Sequence, residues 1–194
     1  MSAARASVLA HVALAVLTIG ATLLPADPVA AFGWWRDALA AQPWRLVSGH
    51  LAHLGPLHLA LNLASLFALA LVHRALVAPA GYAWAGLAAL LAVDAMLHWG
   101  PGALQWYAGL SGILHGLAAW LALELMQRRI GPRPLAWMLF AGLTFKVAWE
   151  ATLAVGSPGA FGIPRAPTAH LAGFMGGCAV WLVARFYALL RRSR

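Results

Sequence analysis

Two residues suited to nucleophilic chemistry each stand where a hydrophobic stretch begins. Ser111 lies in the run Gly109-Leu110-Ser111-Gly112, and His170 lies in Ala169-His170-Leu171-Ala172-Gly173. Serine needs a base to take its proton, and histidine can supply one because it titrates near neutrality. The pair predicts a nucleophile and its base, held just below a membrane surface. The alternative is that Ser111 is only a small packing residue or a helix N-cap.

A second polar pair, His58 and Asn62, has the spacing that places both side chains on one helical face. Both can donate a hydrogen bond to the negative oxygen of a tetrahedral intermediate. The structural alternative is a pair of hydrogen bonds between membrane helices. Gly109 and Gly112 flank Ser111, and we expect them to let a substrate backbone approach closely.

The composition identifies the solvent around the chain. Of its 194 residues, 63% are hydrophobic and 9% are charged, and the mean hydropathy is +0.79. A water-soluble domain of this size could not bury so much apolar surface, which predicts one membrane domain over residues 1–194, in contact with the lipid bilayer. The net charge of +8 comes from short basic clusters between apolar runs, so it indicates membrane topology and not a nucleic-acid partner. The single cysteine, Cys178, excludes an intramolecular disulfide and a cysteine-based metal cluster.

Apolar stretches near the roughly 20 residues needed to cross a bilayer recur along the chain. We predict an all-α polytopic bundle whose six transmembrane helices cover residues 8–24, 57–72, 82–98, 110–126, 134–155 and 168–190. The first stretch also resembles a cleavable signal peptide. Its length favours a membrane-spanning helix.

Arginine and lysine placement predicts the orientation. In the six-span arrangement eight basic residues fall on one side, namely Arg5, Arg74, Arg128, Arg129, Arg133, Arg191, Arg192 and Arg194. Three fall on the other side, namely Arg36, Arg45 and Arg165. The excess places both termini in the cytoplasm. The second, fourth and sixth spans then begin at the outer face, so His58, Asn62, Ser111, His115 and His170 lie at one depth.

The joint pattern resembles the rhomboid intramembrane serine proteases over nearly the whole six-span core. It rests on Trp44-Arg45, His53, His58, Asn62, Gly109-Leu110-Ser111-Gly112 and Ala169-His170-x-x-Gly173-x-x-x-Gly177. The resemblance implies that Ser111 is the nucleophile, that His170 is the general base and acid, and that His58 and Asn62 line the oxyanion hole. It also implies a Ser-His dyad without a carboxylate partner.

Within that family the chain is most similar to the rhombosortase branch, through its compactness, Gly-Leu-Ser-Gly-Ile-Leu-His-Gly and Lys146-Val-Ala-Trp-Glu150. This implies a membrane-anchored protein substrate with a C-terminal sorting tail, cleaved at the periplasmic side of a bacterial inner membrane, with no cofactor. Two positions depart from the wider family. His115 stands where many rhomboids have a tyrosine that packs against the base, and Gln42 stands where an acidic residue is common.

His115 lies one helical turn below Ser111, so it could be a rival base or a packing partner of His170. We expect packing. The charged residues Asp94, Lys146 and Glu150 fall inside predicted spans, where ionisable groups are costly and need a partner or a water-filled cavity. One interpretation is an ion pair of Lys146 with Glu150 or with Asp94. The other places Glu150 at the aqueous cavity around Ser111, where it positions the substrate or an incoming nucleophile.

Two further classes of function remain open. One is a catalytically inactive rhomboid-like protein that binds transmembrane helices, against which the presence of both Ser111 and His170 counts. The other is a small membrane carrier or haem protein that uses the eight histidines. His50, His53 and His98 have no spacing typical of a metal site, so we predict none.

Overall fold

The computed structural model describes residues 3–76, 79–100, 104–128, 133–152, 159, 162–164 and 166–193. Over these residues the chain forms eight α-helices, a 3₁₀ turn at Arg36–Ala38 and two short strands. The helices are α1 (Ala3–Leu23), α2 (Pro28–Phe32), α3 (Arg45–Ser48), α4 (Pro56–Leu76), α5 (Pro79–Trp99), α6 (Ser111–Arg128), α7 (Arg133–Thr152) and α8 (Pro167–Arg192). The strands are β1 (Trp34–Trp35) and β2 (Trp106–Tyr107).

The six long helices coincide with the six predicted apolar stretches, so the prediction of a helical bundle is confirmed. Several helices run past the predicted stretch, and α4 continues to Leu76. Helical hydrogen bonding continues into polar residues because backbone groups near the membrane still need partners. Residues 153–155 of the predicted fifth span, and Arg129, Arg165 and Arg194 of the charge count, lie outside the described residues.

Length and composition single out three stretches as able to cross a membrane among the residues described: Pro56–His73, Ala80–Trp99 and Pro167–Arg192. Ser7–Leu23 is a shorter apolar helix by the same measure. The six-span topology and the cytoplasmic placement of both termini therefore stay predictions.

Glycines bring α6 and α8 into backbone contact. A Cβ on Gly173 would overlap the carbonyl oxygen of Gly112, and a Cβ on Gly177 would overlap that of Gly116. This is the small-xxx-small contact expected between membrane helices. Gly112 is the residue after Ser111, and Gly173 lies one helical turn after His170. The contact between the two glycines therefore fixes the distance between Ser111 and His170.

The first long loop, residues 24–55 between α1 and α4, folds into a cap over the end of the bundle where Ser111 and His170 lie. Trp34 and Trp35 pair antiparallel with Tyr107 and Trp106, a ribbon that the sequence did not predict. The buried Arg45 guanidinium donates to the carbonyl oxygens of Gly33 (2.6 Å) and Ala30 (2.9 Å). Gln42 Oε1 accepts from Arg45 Nε at 2.5 Å, so the amide oxygen of Gln42 is held by the buried guanidinium.

Candidate active site

The nucleophile candidate, Ser111, is the first residue of α6 and follows a turn that only glycine adopts easily. Gly109 has φ +138°, in the left-handed region. A Cβ on Gly109 would also lie 2.8 Å from Cε1 of His58. The Gly109 N–H donates to Gly49 O at 3.0 Å, which ties the turn to the cap. The first N–H groups of α6 have no partner within the helix, so the Ser111 N–H lies beside the serine hydroxyl as a donor outside the helical hydrogen bonds.

Ser111 and His170 are in hydrogen-bond contact across the interface of α6 and α8. The distance from Ser111 Oγ to His170 Nε2 is 2.9 Å. His170 is in the first turn of α8, whose first residue is Pro167. The hydroxyl can donate to Nε2, which is the arrangement in which a histidine removes a serine proton during attack.

His58 and Asn62 lie at the start of α4 and line the same cavity as Ser111. His58 Nδ1 accepts from the N–H of Leu54 at 3.4 Å, which leaves the hydrogen on Nε2. Asn62 Nδ2 donates to the carbonyl of His58 at 2.9 Å, and its amide has a second hydrogen. Each side chain thus has a donor for a negative oxygen.

The fully buried His53 supports the turn before the nucleophile. Its Nδ1–H donates to Leu51 O at 3.0 Å, and its Nε2 accepts from the N–H of Leu110 at 3.4 Å. Burial, with a further contribution from the neighbouring His58, lowers the pKa of His53 to about 4. His53 is therefore neutral at physiological pH and holds Leu110 in place.

Tyr107 is a site residue that the sequence reasoning missed. Its hydroxyl donates to Gly109 O at 2.6 Å and accepts from the Gly112 N–H at 3.4 Å. Burial raises the pKa of Tyr107 to about 12, so the hydroxyl keeps its proton. A tyrosine two residues before a glycine turn was the available signal, but the sequence did not show that its hydroxyl turns back to the main chain.

Glu150 provides a carboxylate partner for His170, so the expectation of a dyad without one was wrong. Glu150 Oε2 lies 2.6 Å from His170 Nδ1. Glu150 Oε1 accepts from Lys146 Nζ at 2.9 Å, which is the ion pair expected within α7. The alternative ion pair of Lys146 with Asp94 does not form. Asp94 Oδ1 instead lies 3.3 Å from His50 Nε2. The cross-helix contact requires α7 and α8 to be adjacent, which the sequence did not specify.

His115 packs against His170, as expected. The two rings stack with centroids 4.2 Å apart. His115 Nδ1–H donates to Ser111 O at 2.7 Å, and its Nε2 accepts from Lys146 Nζ at 3.0 Å. With both nitrogens engaged away from the Ser111 hydroxyl, this geometry favours His170 as the base.

Gly112 lies where α5, α6 and α8 pack closely together. A Cβ there would lie 2.8 Å from Cγ2 of Val93 and 3.1 Å from the carbonyl oxygen of Ala169. The lack of a side chain therefore serves the packing of α5, α6 and α8, and the close approach of a substrate backbone there stays a prediction.

Ser111, His170 and the polar side chains around them open onto one cavity of about 280 Å³. It is lined by His58, Leu61, Asn62, Ser65, Tyr107, Ala108, Ser111, His115, Lys146, Glu150, Gly159, Ile163, Pro164, Ala166 and His170. Ligand atoms of His115, Glu150 and His170 lie within 4.8 Å of one another, a spacing that could hold a metal ion. The Lys146 ammonium bonds to two of these residues, and its positive charge opposes a second cation there.

In this helical bundle a serine is hydrogen-bonded to a histidine, and that histidine is hydrogen-bonded to a carboxylate. This arrangement defines a candidate serine hydrolase site. Comparison with known families agrees, since the family model described as the rhomboid domain matches residues 40–186, which include all the site residues named above. The chain therefore belongs to the rhomboid family, which in general consists of multi-pass intramembrane serine proteases. No curated protein matches the chain.

Proposed function

We propose that this protein is an intramembrane serine endopeptidase in which Ser111 is the nucleophile and His170 the general base and acid. The observation that carries the proposal is the 2.9 Å contact between Ser111 Oγ and His170 Nε2. Family membership supports the same class of reaction.

In the first half of the reaction, Ser111 Oγ attacks the carbonyl carbon of the scissile peptide bond as His170 Nε2 takes the hydroxyl proton. The carbonyl oxygen becomes an oxyanion. His58 Nε2–H, the free amide hydrogen of Asn62 and the backbone N–H of Ser111 are the donors we assign to it. Donors held in place before the reaction stabilise this charge without reorganising.

In the second half, the intermediate collapses and the C–N bond breaks. The imidazolium of His170 gives its proton to the leaving amine, so the histidine returns to its neutral form. Water then attacks the ester between Ser111 and the substrate as His170 takes a proton from the water. The bond between the carbonyl carbon and Ser111 Oγ breaks, and His170 returns the proton to Oγ. The products are a new carboxyl end and the released amine.

For the substrate we propose a membrane-anchored protein with one C-terminal transmembrane segment, cleaved near the outer face of the membrane. The similarity to rhombosortases points to the C-terminal sorting tail of secreted proteins. The location we propose is a bacterial inner membrane, with the cavity open to the periplasm. The excess of basic residues on the opposite side supports that orientation.

The test is labelling by a fluorophosphonate probe, which modifies activated serines. The purified wild-type protein should be labelled, whereas Ser111→Ala and His170→Ala should not, with unchanged melting temperatures. Ser65→Ala is the matched control, because Ser65 lines the same cavity and its hydroxyl donates to Leu61 O at 2.9 Å. It should be labelled at the wild-type rate.

A cleavage assay complements labelling. A reporter with a glycine-rich motif, one C-terminal transmembrane helix and a basic end should be cut by wild type and not by Ser111→Ala. A folded wild-type protein that neither takes the probe nor cuts the reporter would favour the inactive helix binder.

A further inference from the structure

Helix α7 contributes a buried carboxylate to the site. Among the described residues of α7, the buried ones are Ala136, Val147 and Glu150. Glu150 is thus an ionisable group on the face that packs against the bundle. Isolating a carboxylate from water is costly, so its presence there requires compensation. Each of its oxygens has a partner, His170 Nδ1 at 2.6 Å and Lys146 Nζ at 2.9 Å.

The two contacts of His170 assign its tautomer. When the Ser111 hydroxyl donates to Nε2, the ring hydrogen must be on Nδ1, where it donates to Glu150 Oε2. A carboxylate in this place fixes the imidazole in the orientation that accepts the serine proton. It also stabilises the imidazolium that forms during attack.

We propose that Glu150 is a positioning residue that acts through His170, so that the site is a Ser111–His170–Glu150 triad with Lys146 holding the second carboxylate oxygen. This inference rests on the proposed protease function. It goes beyond the dyad that the resemblance implied, because it gives the histidine a charged partner supplied by a third helix.

Lys146 closes the network. Its Nζ lies 2.9 Å from Glu150 Oε1 and 3.0 Å from His115 Nε2. The His115 ring stacks on His170 and donates to Ser111 O. The side chain of Lys146 is 45% exposed whereas that of Glu150 is 12% exposed, so the ammonium reaches the carboxylate from the open side of the site.

The two charges on α7 act on the imidazolium of His170 in opposite senses. Glu150 stabilises it and Lys146 destabilises it. The other titratable groups that face His170 are His115 on α6 and His58 on α4. Neither residue is substituted in the variants below, and only Lys146→Met removes a hydrogen bond of His115, so Glu150→Gln is the direct test of the carboxylate.

The experiment measures the second-order rate of fluorophosphonate labelling as a function of pH for wild type, Glu150→Gln and Lys146→Met. Glu150→Gln should label at least about tenfold more slowly, up to the roughly 10⁴-fold lost when a serine protease triad loses its carboxylate charge. The acid limb of its profile should move to lower pH, because the imidazolium is less stable. In Lys146→Met the acid limb should move to higher pH.

A wild-type rate and an unmoved acid limb in Glu150→Gln would overturn the triad. If that variant does not fold, Lys146→Met decides, since an unmoved limb there also overturns it and a shift to higher pH supports it. Failure of the protease proposal is distinguishable, because the wild-type protein itself would then take no label.

Discussion

His53 joins two backbone segments beside the nucleophile, so its loss should affect both folding and activity. His53→Ala leaves the buried Leu110 N–H without its acceptor, which we expect to lower the free energy of unfolding by about 1–3 kcal/mol. Labelling of Ser111 should slow, because Leu110 precedes it. Thermal unfolding and the labelling rate check this. His98→Ala, which loses ring contacts with Trp34 and Trp99, should keep the labelling rate.

The same histidine gives the stability a pH dependence. Burial lowers the pKa of His53 from 6.5 to about 4. Between these values the unfolded chain binds a proton that the folded chain does not, so this contribution to stability is full above the upper value and is lost as pH falls towards the lower one. Between neutral pH and pH 4, the free energy of unfolding should fall less steeply with decreasing pH in His53→Gln than in wild type. Equal slopes in the two proteins would refute this.

Tyr107→Phe tests whether one hydroxyl organises the main chain around Ser111. The change leaves Gly109 O and Gly112 N–H without a hydrogen-bond partner, at an expected cost of about 1–3 kcal/mol in unfolding free energy. The labelling rate should fall as well, because both groups flank the nucleophile. Tyr187→Phe, on an exposed tyrosine of α8, is the control and should change neither quantity. Wild-type stability in Tyr107→Phe would contradict the assignment.

Some residues of the candidate site could be predicted from their side-chain chemistry and position in the sequence, and others could not. Ser111, His170, His58 and Asn62 could be selected from the sequence, because their types and their places at helix starts suit one reaction. Tyr107 could not, since its contribution depends on where a loop turns.

Among the helices, the contact of α6 with α8 has the most direct effect on the catalytic geometry. Gly173→Ala should force the two backbones apart, because its Cβ overlaps Gly112 O. His170 would then move away from Ser111. We expect a lower melting temperature and loss of labelling.

Gly142→Ala is the matched control for that change. A Cβ at Gly142 on α7 meets nothing within 4 Å. Alanine should there stabilise the helix by up to about 1 kcal/mol and leave labelling unchanged. If Gly173→Ala behaved like Gly142→Ala, the close contact would not control the site.

The long helices could be predicted from the sequence, whereas the short strands could not. Long apolar runs bounded by proline, glycine and charge predicted all six long helices. The two-residue strands β1 and β2 gave no periodic signal, and their pairing joins residues separated by three helices in sequence. The adjacency of α7 and α8 follows from packing of the whole bundle, which is why the Glu150 contact was not foreseen.

For the molecule as a whole, the surface agrees with a lipid environment. Large apolar side chains are exposed along the long helices, among them Val16, Phe67, Trp84, Phe145 and Leu182. Several ionisable side chains in the interior of the long helices are instead paired, namely Asp94 with His50, Lys146 with Glu150, and Arg185 with Glu124. Pairing lowers the cost of placing charge at membrane depth.

Orientation is the property of the whole molecule that most needs measurement. Eight basic residues against three predict cytoplasmic termini, which places the starts of α4, α6 and α8 at the outer face. In a Cys178→Ala background, single cysteines are introduced as Asp37→Cys in the cap and Ser193→Cys after α8, both at exposed positions. A membrane-impermeant maleimide should label Asp37→Cys in intact spheroplasts and Ser193→Cys only after lysis, with probe labelling of Ser111 showing that each variant is folded. The reverse pattern would place the cavity on the cytoplasmic side, and the cleavage of secreted proteins at the outer face would then have to be abandoned even if the serine chemistry held.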